Sequence, residues 1–165
     1  MNQRSELADL LKNGLYQLGI NLEAEQTEQF MAYMDLLKEW NARMNLTAIE
    51  DEREIIIKHF IDSLTILPYI ERGNKRLIDV GTGAGFPGIP LKIMDRSLEV
   101  TLLDSLEKRT KFLNEAIKEL GLEGITAVHG RAEDFGAKDN FRERFDYTAA
   151  RAVAELPVLL EYCLP

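Results

Sequence analysis

Residues 77–88 read LIDVGTGAGFPG, an apolar run that leads into alternating glycines. Arg76–Val80 has the length and composition of a buried strand, and the glycines after it lack the Cβ atoms that would obstruct a sharp bend. Pro87 suits the first position of a helix, where an amide hydrogen would have no partner. The stretch therefore predicts a strand, a tight turn and a helix start whose exposed N–H groups attract a polar ligand.

Short apolar runs recur after this stretch and alternate with helical patterns. The further predicted strands are Glu99–Leu103, Ile125–His129 and Phe145–Ala150. The clearest helix spaces apolar residues from Phe112 to Leu120 and stops at Gly121, which suits a left-handed cap. Strands and helices in alternation predict right-handed βαβ units and an α/β fold with a parallel, Rossmann-like sheet.

The residues before this sheet predict helices only. The three expected helices run from Leu7 to a stop at Gly19, from Glu23 to about Trp40 with Asn41–Thr47 as the following turn, and from a cap at Asp51 to Pro68. Trp40 and Phe60 fall on apolar faces and are expected in the core. We therefore expect an N-terminal all-helical segment over residues 1–70 and an α/β domain over residues 71–165.

Composition excludes several classes of protein. A chain of 165 residues with 45% hydrophobic content can bury a core. It has no apolar run long enough for a membrane span, and its polar start leads us to expect no signal peptide. We expect a cytoplasmic protein. Cys163 is the single cysteine and the two histidines are far apart, so neither a disulfide nor a metal site is expected. The net charge of −8 argues against a dedicated nucleic-acid binder but leaves room for a local basic patch.

The glycine motif indicates a nucleotide-like cofactor rather than a ligand-free turn. Gly83–Gly88 matches the dinucleotide pattern G-x-G-x-x-G in its letters. In that fold, however, the first glycine follows the strand directly; here it is Gly81, which places Phe86 where a third glycine should allow close helix packing. The D-x-G-x-G-x-G form that begins at Asp79 is typical of class I methyltransferases, which bind S-adenosylmethionine. Asp79 itself either faces the positive end of that cofactor or accepts turn N–H groups.

Two later positions fit the same ligand. Asp104 ends the second predicted strand, where its carboxylate would accept the ribose hydroxyls; the alternative is a cap for the helix that starts near Leu106. Ala132 and Glu133 follow the third strand, where backbone groups and a carboxylate would read an adenine edge.

Five blocks carry a more specific resemblance: Glu39–Asn41 with Asn45–Thr47, Lys58–Ser63, Asp79–Pro90, Leu103–Arg109 and Arg151–Ala154. In these blocks the chain resembles the bacterial 16S rRNA guanine-N7 methyltransferases, also called the glucose-inhibited division protein B family. The resemblance implies S-adenosylmethionine-dependent methylation of guanosine 527 in 16S ribosomal RNA, either free or in the small ribosomal subunit. It also implies cofactor contacts from Gly81, Phe86, Ala132, Glu133 and Arg151, and it matches Asp104 to an acidic residue on the second strand.

The family fold continues past Pro165, so its C-terminal strands are expected to be absent from this chain. Strand four or strand one would then expose an edge and invite an oligomer. Two other functions remain open: a non-catalytic S-adenosylmethionine-binding fragment and a nicotinamide-dependent oxidoreductase. Arg151, taken from the residues alone, could instead pair with Glu155.

Guanine N7 carries a lone pair and no proton, so no catalytic acid or base is assigned. Orientation of the reacting atoms is the expected contribution to the rate. The residues considered for RNA contact are Lys58, His59, Arg131 and Arg151. His59 lies beside an apolar helix face, and a packed or capping role is the more common outcome for such a histidine.

Overall fold

The structure is a computed structural model that describes residues 2–151. Its helical segment contains α1 (Gln3–Gln17), α2 (Ala24–Met44), α3 (Glu52–Ile55), a π-helical turn (Ile56–Ile61), α4 (Asp62–Leu64) and a 3-10 turn (Leu67–Tyr69). The rest of the chain forms β1 (Arg76–Val80), α5 (Gly88–Met94), β2 (Glu99–Asp104), α6 (Glu107–Glu119), β3 (Ile125–His129), α7 (Ala132–Gly136) and β4 (Tyr147–Ala150).

The four strands form one parallel sheet in the order β3-β2-β1-β4. The predicted α/β fold is confirmed. Successive strands run from β1 through β2 to β3, and β4 then returns to the other side of β1. Ligands of parallel sheets bind where the strand order reverses in this way, at the carboxyl ends of the strands. The switch point therefore lies at the end of β1, where the glycines follow.

Of the two strands expected to expose an edge, strand four does so within residues 2–151, and the strand-one alternative is wrong. β1 is hydrogen-bonded to β2 on one side and to β4 on the other. Within residues 2–151 the edge strands are β3 and β4. The error arose because the sequence alone did not show on which side of β1 the fourth strand would pair.

The helical segment packs against one face of the sheet and shares its hydrophobic core. Phe30, Tyr33 and Leu37 of α2 are fully buried in the same cluster as Leu77 of β1 and Leu102 of β2. A smaller cluster covers the other face, where the buried residues are Ile78, Val80 and Leu103. Removal of this apolar surface from water is the main stabilising contribution to the association of the two layers.

Several predicted helix ends are confirmed. Gly19 and Gly121 follow α1 and α6 with φ values of 73° and 61°. The carboxylate of Asp51 caps α3 by accepting the N–H of Glu54 at 3.0 Å. Phe60 is fully buried as expected, and the half-buried Trp40 packs edge-on against Phe112 of α6.

Two helix boundaries differ from the prediction. α2 continues to Met44 and ends at Asn45, whose φ is 48°, so Asn41 belongs to the helix. Its side-chain oxygen accepts the N–H of Thr47 at 2.8 Å and closes the turn that follows. α5 begins at Gly88, one residue after Pro87. Glu155 and Cys163 lie outside the described residues.

Gly88→Ala tests the contact between α5 and the sheet. A Cβ on Gly88 would lie 2.3 Å from Cδ2 of Leu102 and 2.9 Å from Oδ2 of Asp79, both buried. We expect the free energy of unfolding in urea to fall by about 1–3 kcal/mol, the usual cost of overpacking. The control is Gly136→Ala, where a Cβ meets nothing within 4 Å. Equal effects of the two substitutions would contradict this packing.

Candidate functional site

The bend after β1 is closed on one side and open on the other. Its glycines, Gly81, Gly83 and Gly85, have φ values of 64°, 61° and 99°. A Cβ on Gly85 would lie 2.5 Å from Ile89 and 2.7 Å from the hydroxyl of Tyr33. A Cβ on Gly83 would meet nothing within 4 Å. The bend therefore has room for a ligand against its backbone at Gly83.

Asp104 faces this bend from the end of β2. Its Oδ2 accepts the N–H of Gly83 at 2.9 Å, and its Oδ1 accepts the N–H of Leu106 at 2.9 Å. The carboxylate is 2% exposed, and the guanidinium of Arg109 approaches Oδ2 at 3.5 Å. Asp104 thus supports the start of α6, as the alternative interpretation holds, and also ties the bend to β2. Each carboxylate oxygen has a second lone pair, so a ribose hydroxyl could still donate to it.

Asp79 lies beneath the bend and is fully buried. Its Oδ2 accepts the hydroxyl of Thr82 at 2.7 Å and the N–H of Gly88 at 2.8 Å. Its Oδ1 is buried without a hydrogen-bond partner in residues 2–151. Burial raises the pKa of Asp79 to about 7 against the opposing effect of these two hydrogen bonds. The carboxylate therefore accepts groups of the turn and keeps one acceptor unused.

Phe86 points into the helical layer rather than between helix and sheet. Its ring stacks on His59 with centroids 4.4 Å apart and also contacts Tyr33 at 5.4 Å. The close approach of α5 to the sheet occurs at Gly88. The glycine at this close contact is therefore Gly88, and the ring of Phe86 lies outside it.

Arg151 follows β4 and contacts the helical segment. Its Nη1 donates to the carbonyl of Lys58 at 3.0 Å and lies 3.2 Å from Oδ2 of Asp62. Its Nη2 lies 2.7 Å from Nδ1 of His59. The guanidinium carbon is 5.1 Å from the centroid of the Phe86 ring. Within the described residues the carboxylate partner of Arg151 is thus Asp62; Glu155, the alternative, lies outside them.

Of the residues considered for RNA contact, His59 is packed, as expected. It is 8% exposed, and burial together with the charge of Arg151 lowers its pKa to about 4. Lys58 is exposed and pairs with Glu54 at 2.7 Å. Arg131 is exposed at the start of α7. The side chains of Lys58 and Arg131 are therefore accessible to an RNA, whereas that of His59 is buried.

The end of β3 completes the edge. The N–H of Gly130 donates to the carbonyl of Asp104 at 2.9 Å, so the β3 end is held against the β2 end. Ala132 is half-buried beside the second cluster, and Glu133 is exposed. All six sequence-predicted site residues therefore lie near the carboxyl ends of the strands: Gly81, Asp104, Ala132 and Glu133 along β1, β2 and β3, and Phe86 and Arg151 toward β4.

Sequence reasoning missed Tyr33 as a part of this site. Its hydroxyl donates to the carbonyl of Ala84 within the bend. The helical spacing of α2 marked an apolar face but could not show which turn of the chain would meet it. Asn41 and Thr47 lie in sequence blocks that resemble the family. That resemblance was the only feature of the sequence that pointed to them. No group of three or more potential metal ligands occurs among the described residues.

Comparison with known proteins decides the family. A family model described as rRNA small subunit methyltransferase G matches residues 26–165. The chain belongs to this family. A ribosomal RNA small subunit methyltransferase G from Acetivibrio thermocellus is 62% identical over 160 residues, which are 97% of this chain and 66% of that protein. One from Alkaliphilus metalliredigens is 53% identical over 94% of this chain and 66% of that protein. This family member thus spans just under two thirds of the length of these relatives.

Solved structures support the fold. A candidate S-adenosyl-L-methionine-dependent methyltransferase from Methanococcus maripaludis superposes with a TM-score of 0.54 at 17% identity, over 78% of this chain and 55% of that one. A protein-L-isoaspartate O-methyltransferase has a TM-score of 0.54 at 11% identity, over 90% of this chain and 47% of that one. The family member described here therefore has the class I methyltransferase fold. No helix in residues 2–151 is long and apolar enough to cross a membrane.

Asp79→Asn tests the burial of this carboxyl group. Because its pKa in the folded protein, about 7, exceeds the ordinary 3.8, the wild-type protein loses stability as pH rises from 4 through 7. An asparagine does not titrate. We therefore expect the free energy of unfolding of the wild type, minus that of the variant, to fall between pH 4 and pH 8 in urea titrations.

The control for this experiment is Asp9→Asn, since Asp9 is exposed on α1. It should leave the pH dependence of unfolding essentially unchanged. A difference between wild type and Asp79→Asn that stays constant with pH would show that the buried carboxyl group does not titrate in this range.

Proposed function

We propose that this protein transfers the methyl group of S-adenosylmethionine to N7 of guanosine 527 in 16S ribosomal RNA. The observation that carries the proposal is an open glycine bend at the switch point of the sheet in a chain of this family. The relatives' names support ribosomal RNA of the small subunit as the substrate. Guanine N7 and the position in the RNA come from the sequence resemblance.

The residues around the bend fit this cofactor. The free space over Gly83 allows the nucleoside part of the cofactor to lie directly against the backbone of the bend. We propose that Gly81 and Phe86 contact it through the bend, and that Asp104 accepts its ribose hydroxyls. Ala132 and Glu133 would read its adenine edge. Arg151 would hold its carboxylate, since a guanidinium pairs well with that group.

The cofactor supplies an electrophilic methyl group on a sulfonium. Because guanine N7 carries a lone pair and no proton, methyl transfer from a bound cofactor would require no side chain to remove a proton from the nucleophile. The residues of this chain then contribute by orientation, which can amount to several kcal/mol of the barrier. The carboxyl groups at the site, Asp79 and Asp104, are accordingly buried and hydrogen-bonded within the protein.

The RNA is expected to approach the carboxyl edge of the sheet. Lys58 and Arg131 are exposed cations near that edge, while the chain as a whole has a net charge of −8. We therefore propose a local contact to phosphates that weakens steeply with salt. We further propose that residues 71–165 form the cofactor-binding domain, that residues 1–70 form its helical cover, and that the protein acts in the cytoplasm on ribosomal RNA or the small subunit.

Labelled S-adenosylmethionine and small ribosomal subunits that lack the modification test this function. We expect label on guanine N7, located by cleavage of the RNA at 7-methylguanosine. Transfer to another atom or another RNA would contradict the assignment. Cofactor binding without transfer would favour a non-catalytic fragment, and tight binding of NADH would favour an oxidoreductase.

Gly83→Ala tests the seat of the cofactor. A methyl group there occupies the open space over the bend, so we expect the affinity for S-adenosylhomocysteine to fall at least about tenfold, the factor that 1.4 kcal/mol represents. Gly121→Ala is the matched control, because Gly121 has the same φ of 61° and equally open surroundings at the end of α6. Both variants carry the same backbone strain, and calorimetry should separate them. Equal losses of affinity would refute the proposed seat.

A further inference from the structure

His59 is the point where the helical segment reaches the cofactor side of the sheet. The residue is 8% exposed, and its ring lies nearly parallel to Phe86, with an interplanar angle of 12°. Nδ1 lies 2.7 Å from Nη2 of Arg151, and Nε2 lies 2.8 Å from Oγ1 of Thr47. One aromatic contact and two hydrogen bonds therefore fix the orientation of this imidazole.

The partners of His59 determine its protonation state. A guanidinium carries only donors, so Nδ1 must accept the hydrogen bond from Arg151. The imidazole is then neutral with its proton on Nε2, which donates to Thr47. Burial and the adjacent guanidinium lower the pKa of His59 to about 4, which agrees with this assignment. A neutral histidine at neutral pH leaves the positive charge of Arg151 in place.

His59 completes the set of acceptors that surround Arg151. Nη1 is directed at the carbonyl of Lys58 and the carboxylate of Asp62. Asp62 has a side chain 56% exposed, so water competes for that ion pair. The bond from Nη2 goes to a buried, oriented acceptor and lies next to the stacked ring of Phe86. His59 is therefore the partner that fixes the rotation of the guanidinium.

A chain of hydrogen bonds extends this arrangement into the helical segment. Oγ1 of Thr47 accepts the N–H of Ile49 at 3.1 Å, and the N–H of Thr47 donates to Asn41 at 2.8 Å. Asn41 is buried on α2. The orientation of His59 is thus set by the same helix that holds the bend through Tyr33.

We infer that His59 is a positioning residue that holds the guanidinium of Arg151 ready for the carboxylate of the cofactor. The inference rests on the proposed function, which assigns that ligand to Arg151. A guanidinium already held in place loses little side-chain freedom on binding, and this preorganisation raises affinity. His59, which is 8% exposed, would act on the cofactor only through Arg151.

Two substitutions at this position separate the acceptor from the ring. His59→Phe keeps an aromatic ring against Phe86 but removes the acceptor at Nδ1. His59→Asn loses the ring but places an amide oxygen close to the position of Nδ1. We expect calorimetry with S-adenosylhomocysteine to show affinity about tenfold weaker for the Phe variant and within about threefold of wild type for Asn. If the role of His59 were purely structural, the loss of affinity in each variant would instead parallel its loss of thermal stability, which is measured alongside.

A double-mutant cycle shows whether His59 acts through Arg151. In the background of Arg151→Ala, adding His59→Phe should weaken S-adenosylhomocysteine binding no further. Additive losses would overturn the inference, as would an Asn variant that binds as weakly as the Phe variant. If His59→Phe fails to fold, His59→Gln replaces it, because its longer amide reaches toward Thr47 and leaves Arg151 without an acceptor.

The two proposals fail in different ways. Absence of S-adenosylhomocysteine binding by the unchanged 165-residue chain would contradict the proposed function and this inference with it. Normal binding by the unchanged chain and equal binding by His59→Phe would overturn only the role of His59.

Discussion

The bend between β1 and α5 leaves space for a ligand on the side of Gly83. Hydrogen bonds from other elements hold the backbone of the bend in this conformation. The N–H of Thr82 donates to the carbonyl of Leu103 at 3.0 Å, and the N–H of Gly83 donates to Asp104 at 2.9 Å. From the opposite side, the hydroxyl of Tyr33 binds the carbonyl of Ala84. Buried backbone groups are costly to leave unpaired, so these partners determine the shape of the bend as much as the glycines do. The glycines make the conformation accessible, and β2 and α2 select it.

The helical segment is consequently part of the site and not only a cover for the sheet. Its residues 52–64 bury pairs of side chains four residues apart: Ile55 and Ile56, His59 and Phe60, Ser63 and Leu64. A repeat of four exceeds the 3.6 residues of an α-helical turn, so the buried stripe would rotate around a regular helix. The π-helical turn Ile56–Ile61 is wider and keeps these pairs on one face. That geometry brings the ring of His59 onto Phe86.

The sequence predicts the sheet well because each strand is a short apolar run bounded by strong stop signals. Arg76–Val80 and Ile125–His129 were predicted with the bounds that the structure shows. The position of β4 beside β1 was not predictable, because pairing order depends on contacts distant in sequence. The same reason explains Tyr33 and the Arg151–His59 bond, which join residues 51 and 92 positions apart. Asp104 was predicted at the right place, but its bond to Gly83 depends on strand register, which composition does not reveal.

The chain as a whole is acidic, but its candidate site contains one partly buried cation, Arg151. A net charge of −8 repels nucleic acid at a distance, yet Arg151 has a neutral imidazole at one side and an aromatic face beneath it. Had His59 been protonated, two cations would have faced each other in a poorly solvated place, at a cost that the lowered pKa of His59 reflects. The neutral histidine adds no second positive charge beside the arginine, whose carboxylate partner within residues 2–151 is the half-exposed Asp62. Within residues 2–151 the positive charge of Arg151 is therefore balanced only by a carboxylate that water reaches, and water weakens such an ion pair.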